Sequence, residues 1–217
     1  MVEVQHHRAH VAACAAENGV TDSYLGVAWD GAGLGDDGGV WGGEFFAVEE
    51  TRFDRVAHVR PFRLLGGDAA AREGWRVALS MDWIMRGATA LEGRVDARVL
   101  EPMLTRGVNA PWSTSVGRLF DAVAWLTRVC DRNRFEGESA LALEAAIDPT
   151  VEGSCPFGDG VAGDWEPLVD AIRRDLDRGT TPGAIAAAAA CWTCCPANNS
   201  RESAESLGCR CDGGGVH

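Results

Sequence analysis

The stretch GVAWDGAGLGDDGGVWGGEFF, residues 26–46, holds seven glycines between Gly31 and Gly43. Around it, YLGVAWD (Tyr24 to Asp30) has the short apolar run of a buried strand, while VWGGEFFAVEE and RFDRVAHV alternate as half-buried strands do. Gly31 to Gly39 then reads as a glycine-rich turn, and the strands as a meander. Glycine lets backbone amides come close to a phosphate, and an aspartate ending a strand before such a turn, here Asp30, is placed to hold a metal or hydroxyl groups. The turn opens no helix, unlike a Rossmann or P-loop fingerprint, and a ligand-free hairpin fits the same residues.

Toward the N-terminus, VEVQ reads as the end of a strand and HHRAHVAACAAEN as a helix, with Val11, Ala12 and Ala15 on its apolar side and Asn18-Gly19 as its stop. His6, His7 and His10 are three of only five histidines. On a helix, His6 and His10 project from one face a turn apart, close enough to grip one metal ion. His7 lies about 100° around the axis, in a supporting or substrate-facing place. A catalytic metal site needs a third protein ligand from elsewhere, and a solvated helix start is the commoner explanation of a bare pair.

Toward the C-terminus the chain turns helical after Pro61 and Gly66-Gly67: DAAAREGWRVALSMDWIM, a segment around Asp96 to Leu104, VGRLFDAVAWLTRVC, then GESALALEAAI. A loop from about Ile147 to Gly163 precedes the amphipathic WEPLVDAIRRDLDR and an alanine run, Ala186 to Ala190. Strands followed by helices, with no solenoid repeat, predict an α/β lobe followed by a helical lobe. In SVGRLFDAVA a carboxylate, Asp121, at a helix start can hold a ribose while the helix amides face phosphate. An ordinary surface charge at Arg118 and a dipole partner at Asp121 are the commoner roles.

With 217 residues, 46% of them hydrophobic, the chain can fill a real core. A formal net charge of −12 repels a polyphosphate backbone, so no nucleic-acid partner is expected. All 20 basic residues are arginine, which excludes a Schiff-base or P-loop lysine. No basic leader precedes an apolar core and no long apolar run occurs, so the expectation is a cytoplasmic chain with no membrane partner.

Taken in order, VQHHRAH, GVAWDGAGLGDDGGVWGGEFF, GGDAAAREGWRVAL, SVGRLFDAVA and FEGESALALEAA resemble the C-terminal TsaD-like (Kae-like) domain of the HypF carbamoyltransferase family, over roughly residues 1 to 148. The resemblance implies an α/β, actin-like ATPase fold of the sugar-kinase and Hsp70 class, two lobes with a nucleotide between them. It implies transfer of a carbamoyl group from carbamoyl adenylate, made from carbamoyl phosphate and ATP, to the C-terminal cysteine of a HypE-like acceptor, toward the cyanide ligands of NiFe hydrogenase. By the same resemblance His6 and His10 hold a divalent metal, iron or zinc, and His7 is the extra histidine of this family's motif. Asp30, Gly31, Gly33 and Gly35 lie near the phosphates. Gly117 and Asp121 contact nucleotide, Gly137 and Glu144 stand on the ribose side, and Asp68, Arg72 and Arg76 fall near the reacting group. A true TsaD is expected to carry HxEGH-like and SGGHT-like motifs, where HRAH and WDGAG stand here. Nodulation-type O-carbamoyltransferases share an HHxxH helix but fit GDDGGVWGGEFF and SVGRLFDAVA less well, and a non-catalytic nucleotide-binding remnant is the alternative from another class.

Against the family pattern, the domains and opening strands expected ahead of VEVQHH do not precede it, and Glu138 stands where glutamine is expected. The expectation is a partial domain over residues 1–190, incomplete at both ends and dependent on missing HypF domains upstream. Residues 191–217 form an atypical tail in which Cys191, Cys194, Cys195, Cys209 and Cys211 crowd together. A frame slip or truncation explains that crowding better than a zinc knuckle.

Overall fold

A computed structural model describes residues 3–148, 150 and 163–194 of the chain. Helix α1 (His6–Glu17) starts where Gln5 takes extended backbone and its Oε1 accepts the Arg8 N–H at 3.0 Å, a side-chain N-cap. Residues 3–5 join no strand, so the strand end expected at VEVQ is absent there. His7, Val11 and Ala15 form the buried face of α1, at the three-and-four spacing a helix buries against one neighbour.

That neighbour is a mixed sheet. β1 (Tyr24–Leu34) pairs antiparallel with β2 (Val40–Glu49), which also pairs antiparallel with β3 (Arg52–His58). β4 (Phe62–Arg63) pairs antiparallel with β5 (Trp112–Ser113), and β5 joins β2 in parallel, giving the order β1-β2-β5-β4 with β3 also on β2. The meander is therefore present, but β1 is longer than its apolar run and the turn is confined to the residues between Leu34 and Val40. Trp29 pairs with Gly43 and Gly33 with Trp41, so Asp30, Gly31 and Ala32 together face the single residue Gly42. This is a bulge, which bends the strand and re-aims its side chains.

The helices follow in chain order: α2 (Ala69–Arg72), α3 (Trp75–Arg86), a 3-10 turn (Gly87–Leu91), α4 (Ala97–Arg106), α5 (Val116–Leu126), α6 (Glu138–Ala146), α7 (Glu166–Asp177) and α8 (Pro182–Cys194). The single helix expected from DAAAREGWRVALSMDWIM is broken at Glu73 and Gly74. Gly74 abuts the backbone carbonyl of Asp121 with no room for a side chain, so the break brings α3 against α5. The helices do not form a separate lobe. Phe62 and Val59 from the sheet side, Val77 and Met81 of α3, Leu119 of α5, and Trp165, Leu168 and Ile172 at α7 share one buried cluster. Each such fully buried aliphatic side chain contributes about 1.5–3 kcal/mol. A smaller cluster, Val11, Ala28, Trp41, Phe46 and Val48, fixes α1 on the sheet. Among the described residues no helix is long and apolar enough to cross a membrane. Cys155, Cys195, Cys209 and Cys211, and with them the tail reading, lie outside the described residues.

Candidate functional site

Helical spacing puts the exposed rings of His6 and His10 side by side, their centroids 4.4 Å apart and their Nε2 atoms 3.2 Å apart. The bulge in β1 supplies the third group. Asp30 Oδ2 lies 2.8 Å from His6 Nε2, and one ligand atom from each of His6, His10 and Asp30 falls within 4.8 Å of the others. Two imidazoles and a carboxylate that converge from one side are the donor set of an open transition-metal site, so the residues fit a divalent cation. The sequence offered Asp30 to a metal or hydroxyl groups and the resemblance set it near the phosphates; the structure places it beside the histidine pair.

His7 sits behind this trio with no accessible surface. Gln5 Nε2 donates to its Nδ1 at 2.9 Å and to Leu34 O at 3.1 Å, which leaves the ring proton on Nε2, 3.7 Å from Asp30 Oδ2. Burial holds the His7 imidazole below its ordinary value, against the raising pull of Asp30 and Glu44, so the ring is neutral. Of the two places considered for His7, supporting and substrate-facing, its buried ring stands in the first, behind the carboxylate. Close approach of α1 to β1 depends on Gly33, where a Cβ would come within 2.5 Å of His7 Cε1 and 3.0 Å of His6 Cδ2.

The bulge residues Gly31 and Ala32 also line a cavity of about 440 Å³, within the range of small-molecule sites, about 300–1,000 Å³. Gly31, Ala32, Val40 and Leu64 form one wall, and Asp68, Arg72, Arg118, Asn133, Arg134 and Glu136 the polar remainder. α5 reaches it end-on. Ser115 caps the helix by accepting the Arg118 N–H at 3.1 Å, and Gly117 lies so near Gly31 that a Cβ would stand 2.8 Å from the Gly31 Cα. The helix N-terminus and the buried Arg118 guanidinium therefore give that wall positive potential in an otherwise acidic chain.

Several expected site residues stand elsewhere. Asp121 does not line the cavity; it is buried behind it, with Arg118 Nε 3.1 Å from its Oδ2 and Asn133 Nδ2 donating to its Oδ1 at 2.7 Å. Burial raises its carboxyl to about 6, against the lowering pull of Arg118 and Asn133. Arg76 is held by Glu73 at 2.7 Å and stacks on Trp75, away from the cavity lining, whereas Asp68 and Arg72 do line it. Gly33 faces the histidines and Gly35 abuts Trp41, leaving Gly31 as the glycine of that loop at the cavity. Gly137, at φ 81°, turns the chain into α6 and Glu144 is exposed, so the carboxylate of this segment that lines the cavity is Glu136. Arg118 is no surface charge. Asn133 and Arg134 carried no sequence signal, because both sit in a loop without periodicity. Glu138 is gripped by Arg134, whose Nε donates to it at 2.8 Å, so the acidic replacement has a cationic partner.

Residues 26–206 match the family described as the second subdomain of the carbamoyltransferase Kae1-like domain. Carbamoyltransferase HypF of Synechocystis sp. is 36% identical over 206 residues, covering 82% of this chain and 27% of that protein. HypF2 of Cupriavidus necator is 42% identical over 159 residues, covering 71% of this chain and 20% of its own length. The chain thus spans about a quarter of the length of these curated relatives. A crystal structure of T. kodakarensis HypF superimposes with a TM-score of 0.79 at 30% identity, covering 95% of this chain and 30% of that one. A full-length HypF crystallised in a phosphate- and nucleotide-bound form gives 0.74 at 30% identity, covering 94% of this chain and 29% of that one.

Proposed function

This chain belongs to the HypF carbamoyltransferase family, and on that premise we propose that it carries the transfer half of a carbamoylation, from carbamoyl adenylate to the C-terminal cysteine of a HypE-like acceptor in hydrogenase maturation. The observation that carries this reading is the shared bulge. Asp30 faces the histidine pair, and its neighbours Gly31 and Ala32 line the cavity. A nucleotide in the cavity then brings its phosphate and acyl group beside the cation ligands.

His6, His10 and Asp30 would hold the divalent cation, iron or zinc, which supplies Lewis acidity at a phosphate or carbonyl oxygen. His7, neutral and buried, stands behind Asp30, its Nε2 3.7 Å from the carboxylate. Arg118, with the first turn of α5, places fixed positive charge where the adenylate phosphate sits, and Arg72 and Arg134 add to it. Glu136 accepts from ribose hydroxyls. Transfer joins the acceptor's sulfur to the carbamoyl carbon and breaks that carbon's bond to the phosphate oxygen. AMP leaves with the electron pair, which these arginines stabilise, and the thiol proton passes to solvent. The nucleophile belongs to the acceptor, so the step needs no cysteine of this chain. The reading includes the two-lobed actin-like ATPase architecture and a cytoplasmic location.

The test combines the full chain with the adenylate-forming portion of a HypF relative, carbamoyl phosphate, ATP and a HypE-like acceptor. The expected result is acceptor heavier by one carbamoyl group, lost when Arg118 is replaced by glutamine. Unmodified acceptor, with the adenylate shown to form, refutes the assignment.

A further inference from the structure

Ser115 neither lines the cavity nor belongs to the three cation-ligand candidates, yet it is hydrogen-bonded to residues of both. Its hydroxyl donates to Asp30 O at 3.0 Å and to Gly31 O at 2.6 Å, across 85 and 84 positions of chain. The same oxygen accepts the Arg118 N–H at 3.1 Å. A bulge leaves backbone groups without ladder partners, and here the one hydroxyl proton of a distant residue is shared between two of its carbonyls. Ser115 has no accessible surface, and its own N–H donates to Ser113 Oγ at 3.1 Å, so the rotamer has no freedom to drift. Gly42 closes the remaining side, where a Cβ would stand 2.6 Å from Asp30 O and 3.0 Å from the Ser115 Cα.

Resting on the cation site proposed above, we infer that Ser115 is a positioning residue: one hydroxyl locks the Asp30 bulge to the first turn of α5, so that the carboxylate stays aimed at His6 and His10. Without it, three residues of strand without regular pairing set the direction of Asp30 by themselves. Groups that orient a metal ligand from behind change metal affinity about 10–100-fold when removed. Ser115 acts on Asp30 through the backbone, which places its effect near the lower end.

The experiment titrates Co²⁺ into the full chain and reads its visible absorption, for wild type, Ser115→Ala, Ser115→Thr and Thr127→Ala. Thr127 is a buried hydroxyl on the far end of the same helix that bonds Val123 O at 2.8 Å, so its loss weakens the helix without touching the bulge. Expected is a loss of about tenfold in Co²⁺ affinity for Ser115→Ala, recovery with Ser115→Thr, and wild-type affinity for Thr127→Ala at comparable thermal destabilisation. Wild-type affinity for Ser115→Ala, or an equal loss in Thr127→Ala, overturns the role of Ser115 and leaves the cation site standing. Absence of Co²⁺ binding by wild type overturns both.

Discussion

Oδ2 of Asp30 lies 2.8 Å from Nε2 of His6, although 24 positions of chain separate the two residues. That contact joins the first turn of α1 to the bulge of β1 and adds a carboxylate to the histidine pair, a trio that could hold a metal ion. It depends on backbone geometry at the glycines around it, which makes those glycines testable.

A methyl group at Gly33 would strike His7 Cε1 at 2.5 Å. Gly33→Ala must push α1 away from β1, an overpacking cost of about 1–3 kcal/mol, and should abolish cation binding with it. Gly93, at φ 75° with nothing within 4 Å, supplies the control. Gly93→Ala carries only the left-handed strain of about 1–2 kcal/mol and keeps cation affinity. Thermal unfolding and Co²⁺ titration of both variants check this; equal cation affinity in the two would show that α1 does not need the close approach.

Asp121 gives a pH signature. Its carboxyl titrates near 6 in the folded chain against 3.8 when free, so the folded state binds the proton more tightly. Its contribution is fully present below the unfolded value and is lost as pH rises through about 6. The stability of wild type relative to Asp121→Asn should therefore grow by about 1 kcal/mol between pH 7.5 and pH 5. Urea unfolding at the two pH values measures it. A difference that stays constant, or shrinks toward acid, would show that Asp121 is not held in a desolvated place.

The parts of the site legible in the sequence were those set by local periodicity. His6 and His10 share a face because they are four apart on a helix, and the cap at Gln5 keeps that helix in register. The role of Asp30 was half legible: its place at the end of the apolar run pointed to a ligand. Its aim depends on three residues of β1 facing one of β2, and a glycine-rich strand has no alternation to reveal that. Arg118 and Asp121 sit three apart on α5, where a surface pair is the usual outcome. Only packing of α3 and the Asn133 loop over them shows that both are buried. Arg76 was assigned with Arg72 by block, but the break at Gly74 turns it toward Glu73. For the same reason, a long helix in the sequence became two, because Gly74 meets a backbone carbonyl that lies 47 positions later in the chain.

The most direct measurement is Co²⁺ titration of the full chain beside His10→Ala and Asp30→Ala. A site of two imidazoles and one carboxylate predicts one equivalent bound by wild type, and a loss in each variant beyond the about tenfold expected of an outer partner. Wild-type affinity in Asp30→Ala would contradict the site, because the cation would then be held without the residue that the bulge of β1 delivers to it.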